Sequence, residues 1–102
     1  MTRREKLEKL LADTPGDPFL IYALALEVAK AGDPHTAITR LTDLAASHPD
    51  YVPTYFQLAQ LQVGQGLTAD ARPVLLRGVE MARRAGDSHA EGELRGFLDQ
   101  LM

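Results

Sequence analysis

Apolar residues recur every three or four positions along the chain, in six separate stripes. The first is Leu7, Leu10 and Leu11, and the second is Leu20, Ile21, Leu24 and Val28. Ile38, Leu41 and Leu44 follow, then Tyr55, Leu58 and Leu61. Val74, Leu75 and Val79 form the fifth, and Leu94, Phe97, Leu98 and Leu101 the sixth. Such spacing collects each set on one face of a helix. No apolar–polar alternation and no Asn-Gly hairpin turn suggests a strand. The pattern predicts an all-α chain of about six helices.

The residues between the stripes fit helix ends. Thr2 with Glu5 is a capping box. Asp17-Pro18 and Asp33-Pro34 each put a carboxylate cap before a proline at the first helical position, where its missing N–H costs nothing. Asp50 is the expected cap of the helix carrying Tyr55, with Pro53 in its first turn. Thr68, and then Asp87 or Ser88, are the remaining cap candidates. Gly32, Gly66 and Gly86 follow helical runs, where a left-handed residue ends a helix. Lys30, Arg83 and Arg84 lie in last turns, where a cation suits the helix dipole. Glu5 and Lys9 are spaced for an i,i+4 pair. Pro73 conflicts with a helix that starts near Ala69, because it removes an internal hydrogen bond. Either that helix starts later or its first turn is distorted.

Shifting the chain by 34 residues aligns Leu24 with Leu58, Ala25 with Ala59, Gly32 with Gly66, Ala37 with Ala71 and Leu41 with Leu75. Ile21 falls on Tyr55. The shared positions are those that face inward or turn the chain. "AKAGDPHTAITRL", residues 29–41, looks alone like a reactive turn, with Gly32, Asp33, Pro34 and His35 adjacent. Its counterpart "VGQGLTADARPVL" keeps the glycine and loses the polar groups, as a repeated corner would.

In these residues the sequence resembles the tetratricopeptide repeat family. One repeat reads Ile21, Leu24, Ala25, Val28, Ala37, Leu41, Pro49. The next reads Tyr55, Leu58, Ala59, Gln62, Ala71, Leu75, with Arg83 where the family has proline. The family's tryptophan is absent, Gln62 stands at an apolar position, and the lost proline lets the helix run to about Ala85. The resemblance implies a right-handed stack of antiparallel helix pairs, an α-solenoid, and covers residues 18–85. Ala25, Ala37, Ala59 and Ala71 would let paired helices approach closely. The expected organisation is a single domain, 1–102: an N-terminal capping helix (2–13), repeats at 18–51 and 52–85, and a C-terminal capping helix (87–101). The capping helices complete layers that two repeats lack. Their outer faces carry Arg3, Arg4, Lys6 and Lys9 at one end and Glu91, Arg95 and Asp99 at the other.

Composition narrows the function. The chain has 102 residues, 45% of them hydrophobic and 25% charged, which are ordinary globular proportions. A net charge of −3 argues against a nucleic-acid partner, which needs a concentrated basic surface. No cysteine is present, so thiolate metal sites and cysteine nucleophiles are excluded. The start "MTRREKLEKLLADTP" is amphipathic and unlike a signal peptide, and no stretch has a membrane span's length. These features suggest a cytoplasmic chain with no membrane partner. His35, His48 and His89 have no partners at metal-ligand spacing, and Ser47-His48 are only neighbours in sequence. Glu91 and Glu93 face different ways on a helix. Neither catalysis nor a cofactor is expected.

The resemblance implies that the first helix of each repeat lines a concave surface for a peptide or protein segment. Once the packing stripes are removed, the lining is Phe19, Tyr22, Leu26, Ala29 and Lys30 from one repeat. Phe56, Gln57, Gln60 and Val63 come from the other. Members that grip a terminal carboxylate carry Lys and Asn where this chain has Tyr22 and Leu26, so that clamp is not expected. Two alternatives stand beside a peptide-binding groove. The N-terminal helix could cover Phe19, Tyr22 and Leu26 through Leu7, Leu10 and Leu11. The same surface could instead pair two copies as a structural homodimer, or join a larger repeat scaffold.

Overall fold

The structure is a computed structural model that describes residues 1–101. Six helices follow one another: α1 (Arg3–Asp13), α2 (Pro18–Lys30), α3 (Pro34–Ser47), α4 (Pro53–Gly64), α5 (Thr68–Arg84) and α6 (Ser88–Gln100). No strand occurs among the described residues. The chain forms two compact units, one from Met1 to His48 and a second starting at Pro49.

Three corners share one backbone solution. Gly32, Gly66 and Gly86 have φ of +93°, +78° and +71°, a conformation that glycine adopts without strain. After Gly32, the Asp33 N–H donates to the Val28 carbonyl at 3.2 Å, and the Gly32 N–H to Ala29 at 3.0 Å. The same two bonds follow Gly66, from Leu67 to Gln62 and Gly66 to Val63, and Gly86, from Asp87 to Ala82 and Gly86 to Arg83. Each is a Schellman closure. The residue after the glycine therefore ends one helix and caps the next. Asp33 and Asp87 cap with their carboxylates, which accept from the N–H groups of Thr36 and Ala90.

Two expected caps are displaced. At the Gly66 corner the capping position is Leu67, with no side-chain cap, and Thr68 is the first helical residue. The Schellman geometry sets this boundary whatever side chain follows the glycine. Asp50 does not cap α4 either. The N-cap is Val52, and the N–H groups of Thr54 and Tyr55 reach the carbonyls of Tyr51 and Val52 instead. The late start allowed for α5 is also overturned, since the helix begins at Thr68 and continues through Pro73. The extension of α5 past the family's proline position holds, to Arg84 with Ala85 at the C-cap.

In the first unit α2 packs against both α1 and α3. Leu7 of α1 joins Leu20, Ala23 and Leu24 of α2 in a buried cluster, with Leu11 against it. Leu10 does not join them. It lies three residues from Leu7, rotated away from Leu11, and is 52% exposed. Arg3 ties the helices together at the surface, its Nε donating to Glu27 Oε1 at 2.8 Å. The Thr2–Glu5 capping box forms with both bonds at 3.1 Å, so the Glu5 carboxylate turns back to Thr2 rather than along the helix to Lys9. On α3, Ala37, Leu41 and Leu44 are buried, as are Ala25 and Val28 of α2.

In the second unit α5 packs against both α4 and α6, and α4 also touches α6. Tyr55, Leu58 and Ala59 of α4, Ala71, Leu75, Val79 and Ala82 of α5, and Leu94 of α6 are buried. Gly78 is buried in the middle of α5. The Tyr55 hydroxyl donates to the Pro49 carbonyl at 2.5 Å, fixing the entry to α4. Glu91 of α6 meets Arg95 at 2.9 Å and Arg83 of α5 at 3.8 Å. The Arg72 guanidinium donates to the Leu101 carbonyl at 2.9 Å.

Candidate partner-binding surfaces

Each unit carries a surface of its own. In the first unit, α2 divides its circumference three ways. Leu20, Ala23, Leu24 and Glu27 turn toward α1. Ala25 and Val28 lie on a second buried face. Phe19, Tyr22, Leu26 and Lys30 share the third. Phe19 is 54% exposed, Lys30 is exposed, and Tyr22, Leu26 and Ala29 are half-buried. Because α1 docks on the Leu20–Leu24 face, it leaves Phe19 largely in solvent. Covering of that residue by the N-terminal helix is thereby overturned.

In the second unit, Phe56 and Gln60 of α4 line a surface cavity of about 350 Å³, with Glu93, Gly96, Phe97 and Gln100 of α6. Two of the lining residues form an edge-to-face pair, the Phe56 and Phe97 rings lying 5.3 Å apart at 66°. Gln57 and Val63 are half-buried and lie outside the cavity lining. Sequence reasoning treated α6 as a capping helix and missed its contribution. Glu93, Gly96, Phe97 and Gln100 follow i, i+3, i+4, i+7 spacing, which marks one helix face. Gly96 lies on that face, and a Cβ there would meet nothing within 4 Å.

Charges are sparse at the cavity. α4 carries no Asp, Glu, Lys, Arg or His, and Glu93 is the sole ionisable residue among the six lining residues. The Glu93 carboxylate meets His89 Nε2 at 3.0 Å, one turn earlier on α6. A second depression, of about 370 Å³, lies on α1 between Met1, Lys6, Lys9, Leu10 and Asp13.

The residues tested for chemistry stay apart. His35 is exposed, His48 is the C-cap of α3, and His89 pairs with Glu93. Glu91 and Glu93 point to different partners, Arg95 and His89. No three His, Cys, Asp or Glu side chains cluster at metal-binding range among the described residues. Among those residues, no helix is long and apolar enough to cross a membrane. Among the described residues, two carboxylates have lowered pKa values, both at helix starts. Glu5 is held down by the backbone N–H and then the hydroxyl of Thr2. Asp33 is held down by the side chain and then the backbone of Thr36, with smaller contributions from His35 and Arg4. These are caps rather than reactive groups.

Comparison with known proteins agrees with the repeat. The tetratricopeptide repeat family model matches residues 28–90. A repeat-containing protein of this kind from Pseudomonas aeruginosa is 31% identical over 97 residues, covering 95% of this chain and 92% of the relative. The solution structure of a tetratricopeptide repeat domain protein from Salinibacter ruber matches with a TM-score of 0.82 and 34% identity, over 85% of this chain and 88% of that one. A protein from Bordetella parapertussis matches with a TM-score of 0.81 and 28% identity, over 99% of this chain and 88% of that one. Domains of this family generally mediate protein–protein interactions and are generally non-enzymatic. By sequence and by fold, the chain belongs to the tetratricopeptide repeat family.

Proposed function

We propose that this chain is a non-enzymatic module that binds a peptide or protein segment through the exposed faces of its repeat-starting helices. Phe19, Tyr22, Leu26 and Lys30 form the contact surface on α2. Phe56, Gln57, Gln60 and Val63 form the one on α4. The observation that carries this reading is Phe19, a large aromatic left 54% exposed beside two half-buried apolar residues on a face of α2 distinct from its Leu20–Leu24 contact with α1. Contiguous apolar surface of this kind favours partners. Full burial of one such side chain contributes about 1.5–3 kcal/mol. Two or three anchors, after the costs of association, suit micromolar binding, about −8 kcal/mol. We place this binding in the cytoplasm, where a cysteine-free chain is indifferent to reducing conditions.

The test compares wild type with Tyr22→Ala and Phe56→Ala in affinity capture of partners, with thermal melts confirming that each variant is folded. Loss of the same bound proteins in a folded variant supports the assigned surface. Unchanged capture by both rejects it. Light scattering over a concentration series decides between a partner protein and a second copy of this chain. A strict monomer removes self-association, and a dimer lost in the same variants would assign the surface to it.

A further inference from the structure

We propose that the α4–α6 cavity is a subsite for one arginine side chain of a bound partner segment, an inference that rests on the interaction-module reading above. The cavity volume of about 350 Å³ lies at the small end of ligand sites and suits a single long side chain. Its lining includes the aromatic pair Phe56 and Phe97, and the sole ionisable residue among its described lining is acidic. Gln60 and Gln100 add side-chain amide oxygens that can accept hydrogen bonds. Arginine matches this set in every part. Its methylenes lie on apolar surface, its guanidinium stacks over aromatic rings, and its planar fork of donors suits a carboxylate flanked by amides. Glu93 is 54% exposed at its side chain, so a guanidinium can reach it without burying a lone charge.

Gly96 gives the second reason. Glycine inside a helix lowers its stability relative to alanine. A Cβ at Gly96 would meet nothing within 4 Å, so no neighbour requires glycine there. What its missing side chain does leave is the wall of the cavity, open between Glu93 and Phe97. Among the described residues, His89 is the one competing group seen on Glu93, through Oε1.

The test is an amide NMR titration of the full chain. The probes are N-acetyl-arginine methylamide and its norleucine, lysine and glutamate counterparts. The arginine probe is expected to shift Phe56, Gln60, Gly96, Phe97 and Gln100. It should bind at least about fivefold more tightly than the norleucine probe, and the glutamate probe should not bind. Glu93→Gln should weaken arginine binding about fivefold or more and leave norleucine unchanged. Gly96→Leu, which projects into open space, should abolish the response while the rest of the spectrum persists. Norleucine binding as tightly as arginine, or arginine binding unaffected by Glu93→Gln, overturns the subsite, as does absence of any response. Those results leave the module reading standing if Tyr22→Ala or Phe56→Ala still loses captured partners. Conversely, arginine binding here with unchanged capture by both variants rejects the wider surface and keeps the subsite.

Discussion

Gly78 of α5 packs directly against Tyr55 of α4. A Cβ built on Gly78 would stand 2.6 Å from Tyr55 Cβ and 3.0 Å from Tyr55 Cγ, with Leu94 Cδ1 at 3.2 Å. Tyr55 Cβ is bonded to the α4 backbone, so no rotamer change clears the 2.6 Å contact. One absent side chain thus lets α4, α5 and α6 meet at a single point. Gly78→Ala gains the helix preference of alanine, about 0.5–1 kcal/mol, but overpacks the crossing by about 1–3 kcal/mol or more. The expected net loss is about 1–2 kcal/mol, read as a fall in Tm of several degrees. A variant that melts higher than wild type would show that the helices part without cost.

Gly96 should respond with the opposite sign. Its Cβ position is open, and so is that of Gly92 one turn earlier. Each lies within α6 with ordinary backbone angles. Gly96→Ala is expected to raise stability by about 0.5–1 kcal/mol, and Gly92→Ala by a similar amount. Denaturant midpoints of the single and double variants check this, and additive gains are expected if neither side chain touches a neighbour.

The contrast between these glycines marks where the sequence stops being informative. Gly32 and Gly66 were legible because they recur at the repeat period after helical stripes, and their positive φ values follow from that role. Gly78, Gly92 and Gly96 all interrupt helices, and nothing local separates a glycine required by a crossing from one that opens a cavity. That difference depends on which helix lies opposite. The same limit hid Glu93 and Phe97, since the apolar stripe of α6 was readable but its proximity to Phe56 was not. Leu10 failed for a smaller reason: three leucines within five residues span too wide an arc for all to face one neighbour. Asp50 failed because carbonyls of the preceding turn can satisfy a helix start as well as a carboxylate can.

Tyr55 stands where the first repeat has Ile21, and the difference is a hydroxyl with a specific task. Buried to 1% exposure, it donates to the Pro49 carbonyl at 2.5 Å. Tyr55→Phe keeps the ring against Gly78 and removes only this bond. The expected cost is about 0.5–1.5 kcal/mol. Equal Tm for the two proteins would show that the bond adds nothing net.

Gln62 breaks the apolar pattern of its repeat, and the structure shows the consequence. The residue is buried, and its Oε1 has no hydrogen-bond partner among the described residues. An unpaired buried amide oxygen costs free energy that an apolar side chain of similar size does not. Gln62→Met is therefore expected to stabilise the fold by about 1 kcal/mol, raising the urea midpoint with little change in slope. A lowered midpoint would mean that the amide is satisfied in solution.

Acid should unpick the Asp33 cap. The hydrogen bonds from Thr36 hold the Asp33 carboxyl below its usual range, so the folded state binds this proton more weakly than the unfolded chain does. A depressed folded pKa contributes stability that is complete above the unfolded value, about 3.9. It is lost as pH falls through the lower folded value. Asp33→Asn retains an oxygen that can accept from the Thr36 N–H but carries no charge to titrate. Wild type should be the more stable protein near neutral pH, where its carboxylate also favours the α3 N-terminus. The gap in Tm should close as pH drops from about 4 toward 2. Melts of both proteins across that interval check the sign, and a gap that widens on acidification would show that the Asp33 carboxylate is not favoured in the folded state.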